Sequence, residues 1–377
     1  MKENNATEEL YDDEIDFASI IAVLWKRRKL IFFGTMGATL LSIGISLLLP
    51  RVYLSEGFYQ LGGVPITMYK SIAPKFSDLN HFLLIASQNK LVNEEILKQI
   101  KANFQTAADV NKWIKPVYAY AKEDARDFTQ MSKDTFNSVI GANLSYEADS
   151  PEKASAYVRF FGNYIRDCLL YVNLYTYIIN GYNKSIFEMN KNENDITGVQ
   201  FRLLQNTNKM KDIQAILIDY PESAKIENRQ LVSVQEGGSR FLSPITQLVG
   251  IQSDLADLRR SLADLERNKE KFAISAEYFL LCNSELTKIG ERGESLFLLL
   301  KSIKAELFKN KDLSKDTVKE IFNNLSDDLQ RFELDFFSNC RFVSGPSILE
   351  QPIRPSKKLI VIASCFSSFL LLVSVHP

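Results

Sequence analysis

Few residues in this chain could do chemistry. Among 377 residues there are two histidines, His81 and His376. His81 lies in the apolar stretch LNHFLLIAS, where we expect a hydrogen-bonded structural histidine rather than a metal ligand. Two imidazoles so placed do not assemble a Ser/His/Asp set or a Cys/His pair, so the sequence does not indicate nucleophilic catalysis.

The four cysteines, Cys168, Cys282, Cys340 and Cys365, are scattered and form no CxxC pair. This spacing lacks the paired thiolates of a structural zinc site and the density of a disulfide framework. Cys365 lies in an apolar run, and the other three could form one bridge at most. We expect these three to be buried small apolar residues, and the sequence leaves their disulfide state open.

Two acidic pairs, Asp12-Asp13 and Asp327-Asp328, are candidates for holding a metal ion. The first lies in a polar tail and the second in a charged helical stretch, so we expect both to be solvated surface. The sequence also lacks GxxxxGKS/T and GxGxxG, the loops that cradle phosphates and dinucleotides. We therefore predict that the protein is not an enzyme, with no catalytic, cofactor-binding or metal-binding residues and no cofactor.

The charge of the chain is balanced, with 45 Lys+Arg against 46 Asp+Glu. Composition therefore does not indicate nucleic acid as a partner. The apolar residues, in contrast, are unevenly distributed and concentrate in two runs, Leu30–Leu49 and Leu359–Val375.

The first run has no charged residue, and as a helix it spans about 30 Å, the hydrocarbon thickness of a bilayer. It is longer than the apolar region of a signal peptide, and LLLPRVYLSEG after it has no small-residue cleavage site. Lys26–Lys29 precede it, and the positive-inside rule puts them in the cytoplasm. We therefore predict a cytoplasmic segment at 1–29 and a retained transmembrane helix at 30–49.

The second run, 359–375, is at the lower length limit for a membrane span. A buried helix of a soluble domain is the alternative, but an uncharged run directly after RPSKK favours a second transmembrane helix. Two spans put residues 51–358 outside the cytoplasm. Arg354, Lys357 and Lys358 then lie on the outer side, which the charge rule disfavours, although the first span usually dominates orientation.

The domain between the runs has predicted strands near 51–62, 139–147 and 340–348. RVYLSEGFYQL alternates apolar and polar residues in the manner of a strand. Because the first and third strands adjoin the apolar runs, we expect one small sheet close to the membrane. The prediction is an α+β fold with two transmembrane helices, a mixed α/β base and a long helical, coiled-coil-like extension.

Two long helices are predicted near 151–219 and 246–288. Ser150 is a candidate cap for the first, with Pro151 at its first position. The second carries an apolar seam at coiled-coil spacing, formed by Ile251, Leu255, Leu258, Leu262 and Leu265. The two helices could pack antiparallel, with the loop EGGSRFLSP, 236–244, at the far tip. Packing within the chain and self-association remain equal alternatives for the seam.

The two ends together resemble the Wzz-type polysaccharide co-polymerases, the chain-length determinant proteins of bacterial inner membranes. The resemblance rests on DEIDFASIIAVLWKRRKLI before the first run, Pro50 after it, and EQPIRPSKKLIVIA before the second run. SYEADSPEKASAYVRFFGNYI also resembles the strand-then-helix step of that family. No single motif is diagnostic, but the combination covers both ends of the chain.

The resemblance implies a two-span inner-membrane protein with its N-terminus in the cytoplasm and its bulk in the periplasm. It implies a non-enzymatic homo-oligomer that sets the chain length of O-antigen or a related glycan, as in lipopolysaccharide biosynthesis. The implied partners are a separate membrane polymerase, the growing glycan and the bilayer. A coiled-coil adaptor in a capsule or exopolysaccharide export complex is the alternative. A two-span sensor is disfavoured because no signalling module follows the second run.

Overall fold

A computed structural model describes residues 25–26, 28–76, 78–88, 98, 110, 112–119, 138–225, 243–354 and 356–374. These residues form a small sheet and a larger set of helices. In chain order the elements are α1 Arg28–Leu48, β1 Tyr53–Pro65, α2 Ile66–Phe76, α3 Leu79–Gln88, β2 Ile114–Tyr118, β3 Ser138–Ala148, α4 Pro151–Asp219, α5 Pro244–Ile289, α6 Gly293–Lys309, α7 Asp316–Glu333, β4 Arg341–Ser344 and α8 Lys357–Ser374.

The sheet is antiparallel and has the strand order β2-β3-β1-β4. Its central pair runs from Tyr53 opposite Ala148 to Pro65 opposite Ser138, with a bulge at Gly62 and Gly63, which both have positive φ. The strands predicted near 51–62, 139–147 and 340–348 correspond to β1, β3 and β4, and β4 is shorter than predicted. Strand β2 was not predicted.

The chain enters and leaves the sheet at one place. The backbone N–H of Val52 donates to Arg354 O over 3.0 Å, and the N–H of Ile353 donates to Val52 O over 2.8 Å. An ion pair of 3.1 Å joins the Arg354 guanidinium to Glu147 at the end of β3. The residues next to α1 and α8 are therefore paired, which brings the two apolar helices together at the base.

Helix α4 is 69 residues long, which corresponds to about 100 Å. Ser150 caps it as predicted, because its hydroxyl accepts from the N–H of Lys153 over 3.2 Å and Pro151 occupies the first turn. The helix ends at Asp219, before the predicted stop at Tyr220 and Pro221.

The first turns of α4 pack on the sheet through aromatic side chains. Tyr157 lies with its ring centroid 4.1 Å from that of Tyr146 on β3, and Phe161 stacks on Trp113 at 5.7 Å. Gly162 lets the ring of Tyr59 approach, since a Cβ there would lie 2.8 Å from that ring. Large buried aromatic surfaces of this kind stabilise the base by burial and by ring–ring contact.

The rest of α4 packs antiparallel against α5, as the sequence suggested. Tyr177 contacts Phe279 near the base, Glu193 pairs with Lys269 at 3.4 Å, and Ile213 packs with Ile251 further out. Buried residues of α4 recur every seven residues at Ile178, Ser185, Asn192 and Val199, and again at Ile213. The α5 seam therefore packs on α4 of the same chain in coiled-coil fashion. Most of the tip loop predicted at 236–244 lies outside the described residues.

Helix α5 ends at Gly290, and the chain turns at once into α6. The first residue of α6, Gly293, touches the backbone of α4. A Cβ on Gly293 would lie 2.2 Å from the backbone O of Asp167 and 2.6 Å from the backbone N of Tyr171. Helix α7 then returns along α5, held by ion pairs from Arg267 to Asp316 and Glu320 at 2.9 Å.

We predict that Gly293→Ala destabilises the protein by about 1–3 kcal/mol, because backbone atoms of α4 cannot yield to the new methyl group. The matched control is Gly198→Ala, where a Cβ meets nothing within 4 Å in the exposed part of α4. This substitution should stabilise the helix by about 0.5–1 kcal/mol. Chemical denaturation of the detergent-solubilised protein, followed by circular dichroism, measures both. Equal effects of the two substitutions would contradict the close contact between α6 and α4.

Candidate functional site

The apolar helices α1 and α8 lie side by side with hydroxyl groups between them. The Ser42 and Ser364 hydroxyls form a hydrogen bond, and Ser364 also approaches Ala38 O at 3.4 Å. Large apolar side chains point away from this contact, with Leu41 70% and Ile362 69% exposed. Small polar residues inside and apolar residues outside are typical of packed helices in lipid.

Among the described residues, one helix is long and apolar enough to cross a membrane by length and composition. This helix is α1, with a mean hydropathy of 1.9 over its best window. The apolar part of α8 that passes a shorter criterion is Ile360–Leu370. The first transmembrane helix predicted at 30–49 therefore has a matching candidate, whereas the second at 359–375 stays a prediction.

A polar junction lies where the base meets the long helices, and it consists of Lys75, His81, Tyr164, Asp167 and Glu291. The buried Asp167 carboxylate accepts the N–H of Glu294 over 2.7 Å and the N–H of Gly293 over 3.0 Å. It thereby caps the N-terminus of α6, where a negative charge is favoured. Burial raises the pKa of Asp167 above its ordinary value, and the two backbone donors oppose that shift.

His81 is a structural residue of this junction, as predicted. It is 6% exposed, and both of its ring nitrogens have partners. Nδ1 lies 3.0 Å from the Tyr164 hydroxyl, and Nε2 lies 3.0 Å from the Glu291 carbonyl oxygen, to which it donates. The Tyr164 hydroxyl also donates to Lys75 O over 2.9 Å. The junction therefore joins α2, α3, α4 and the turn before α6.

The cysteines have no partners for disulfide formation in the described structure. Cys168, Cys282 and Cys340 are buried free thiols, and Cys365 is exposed on α8. Burial raises the pKa of Cys282 to about 12 and that of Cys340 to about 11. Thiols held protonated in this way are poor nucleophiles. The prediction that the first three are buried small apolar residues is confirmed.

The acidic pairs are not brought together with other ligands. Asp328 accepts a hydrogen bond of 2.9 Å from the Tyr177 hydroxyl, whereas Asp327 is exposed. Asp12-Asp13 lies outside the described residues. In the part of the chain that the structure describes, no three His, Cys, Asp or Glu side chains are grouped so as to hold a metal ion.

A groove of about 780 Å³ opens between α4, α5 and α7, with α2 at one end. Aromatic side chains and amide side chains share its lining, including Tyr177, Phe272, Asn180 and Asn324. The groove is deep at Gly181, where the ring of Phe279 packs directly on the backbone of α4, and a Cβ there would lie 2.3 Å from that ring. We call this space the groove below.

The polar junction and the groove were not found by sequence reasoning. Their residues are 80 or more positions apart in several cases, for example His81 and Tyr164, and no local motif marks them. The stretch IGERGE, 289–294, was a usable signal, because two glycines around charged residues predict a turn and a close approach.

The comparisons with known proteins agree with the resemblance in the N-terminal part. Residues 13–57 match the family model described as "Wzz: Chain length determinant protein". The matched range covers α1 and the first residues of β1. One solved structure, a full-length bacterial polysaccharide co-polymerase, aligns with a TM-score of 0.40 and 13% identity over 96% of each chain. The chain matches no curated protein.

Proposed function

Starting from this N-terminal chain-length-determinant segment, we propose that the protein is a non-enzymatic regulator of surface polysaccharide chain length. The carrying observation is the match of residues 13–57, which joins the basic cluster, the apolar helix α1 and the start of the sheet into one family segment. In this proposal a separate membrane polymerase builds the O-antigen or related glycan. The protein contacts that polymerase and the growing glycan from the outer side of a bacterial inner membrane.

Two spans are part of the proposal, and the pairing of α1 with α8 supports them. If α1 crosses the bilayer, then α8 lies in the same hydrocarbon layer, because the Ser42–Ser364 hydrogen bond holds their middle turns together. The exposed apolar residues of both helices suit lipid contact. The N-terminus is then cytoplasmic and the sheet and long helices are periplasmic.

Self-association is also part of the proposal. The outer half of α4 exposes large apolar side chains, with Phe201 and Leu204 each 59% and Ile218 78% exposed. Val249 on α5 adds another at 62%. Exposed apolar surface of this kind is typical of contact sites, and the seam on α5 is already occupied by α4. We infer that neighbouring copies pack along the outer part of the hairpin.

The membrane arrangement predicts where an impermeant maleimide reacts in intact bacterial spheroplasts. In a Cys365→Ser background, Ser261→Cys on exposed α5 should be labelled without permeabilisation. Asn5→Cys and His376→Cys should be labelled only after permeabilisation, since both ends are cytoplasmic in a two-span protein. Labelling of His376→Cys in intact spheroplasts would exclude the second span, and labelling of Asn5→Cys would exclude the orientation.

The oligomer proposal predicts that the full chain in detergent or nanodiscs has a mass of several subunits by light scattering. Phe201→Glu with Leu204→Glu should shift the population towards smaller species, because two charges would be buried in the contact. Gln200→Glu with Gln205→Glu adds the same charge at exposed neighbouring positions and should leave the mass unchanged. A monomeric wild-type protein at micromolar concentration contradicts the proposal.

The chain-length function predicts a change in the surface polysaccharide of a strain that lacks the gene. On a gel, the dominant band cluster should be lost and replaced by a broad distribution with similar total polymer. A plasmid-borne wild-type gene should restore the cluster. An unchanged distribution rejects the proposal, and loss of all surface polymer favours the alternative, an adaptor in an export complex.

A further inference from the structure

The groove between α4, α5 and α7 has the chemistry of a carbohydrate site. We propose that it binds a short saccharide segment, a few sugar units long. The proposed function supplies the source of that saccharide, and the inference rests on it to that extent. The binding chemistry itself is argued from the lining.

The groove offers aromatic surface at two levels. Phe272 lines it as a half-buried ring on α5, and Tyr177 lines it from α4. The Tyr177 ring is fixed by its hydrogen bond to Asp328 and by edge-to-face contacts with Phe279 and Phe332. Sugar rings present C–H faces that pack on aromatic rings, and a fixed ring loses little side-chain entropy when it binds.

The groove also offers free hydrogen-bonding groups on facing helices. Asn180 and Lys184 are exposed on α4, and Asn324 is exposed on α7. Among the described residues, none of these three side chains has an intramolecular hydrogen bond or ion pair. Each amide both donates and accepts, which matches sugar hydroxyl groups that do the same. Their partners are therefore available for a ligand.

Other ligand classes fit less well. A metal ion would need several carboxylates, and the lining has one acidic side chain, Asp328, which already accepts from Tyr177. Nucleic acid would need a row of cations, and Lys184 is the one cationic residue among the described lining residues. The volume of about 780 Å³ lies within the range of small-molecule sites and exceeds a single sugar unit.

Small side chains keep the groove open. Ser71, Ser185 and Ser275 line it together with Gly181. The Ser185 hydroxyl donates to Gly181 O over 2.7 Å and the Ser275 hydroxyl to Lys271 O over 3.1 Å. Since these hydroxyls bond to their own helices, they are satisfied without filling the space between the helices.

The test is calorimetric titration of the full-length protein in detergent with oligosaccharides released from the host's surface polysaccharide by mild acid. Maltohexaose serves as the unrelated saccharide. The variant is Asn180→Ala with Asn324→Ala, and the matched control is Asn183→Ala with Asn323→Ala, which are exposed neighbours outside the groove. We expect saturable binding of the host oligosaccharide, weakened about tenfold in the groove variant and unchanged in the control. Matching unfolding curves establish that both variants are folded.

Two results would overturn the inference. One is the absence of saturable binding of the host oligosaccharide to the wild-type protein. The other is binding that the groove variant leaves at wild-type strength, which would put the saccharide elsewhere. Binding of maltohexaose with equal strength would support a general saccharide groove. The gel of the gene deletion is independent of these measurements. Groove-dependent binding with an unchanged gel rejects the proposed function alone, and a changed gel without binding rejects the groove alone.

Discussion

One unbroken helix has to satisfy two different surroundings, and the rest of the structure follows from how it does so. Over Pro151 to Ile178, α4 is buried on several faces by the sheet, α2, α3 and α6. Beyond Ile178 it buries one narrow stripe, with a repeat of seven residues, against α5. Because a continuous helix is stiff, the direction in which α4 leaves the sheet also sets the direction of the extension. A change in packing at the base is therefore carried along the whole helix.

The contact between Asp167 and the start of α6 closes this arrangement. It takes two of the unpaired N–H groups of α6 and puts the returning chain at one position on α4. The absence of a side chain at Gly293 lets the helix end touch the α4 backbone. From that point α6 and α7 can lie back along α5. The groove is the space left where α7 passes over small residues of α4 and α5, so it depends on the same contact.

The sequence predicted the elements that have local signals. The start and end of α4 follow from Ser150 with Pro151 and from Tyr220 with Pro221, and the α5 seam follows from its leucine spacing. The matching stripe on α4 escaped notice because Ser185 and Asn192 occupy two of its buried positions, where an apolar pattern was sought. Both bond to the carbonyl four residues earlier, which makes a polar residue tolerable there. The junction, β2 and the groove need contacts between distant residues, and no local pattern encodes them.

The same reasoning explains why a protein of this build can act without reactive groups. Its thiols are buried and protonated, its one described histidine is held on both nitrogens, and the carboxylate of Asp167 is used to cap a helix. What the chain does control is geometry. The Val52–Arg354 pairing ties the two apolar helices to the sheet, the sheet holds the first turns of α4, and α4 carries the extension. Under the proposed function, the position of the extension relative to the membrane is then the quantity that this protein fixes. A glycan or a polymerase in contact with the extension would be held at a distance set by the length of one helix.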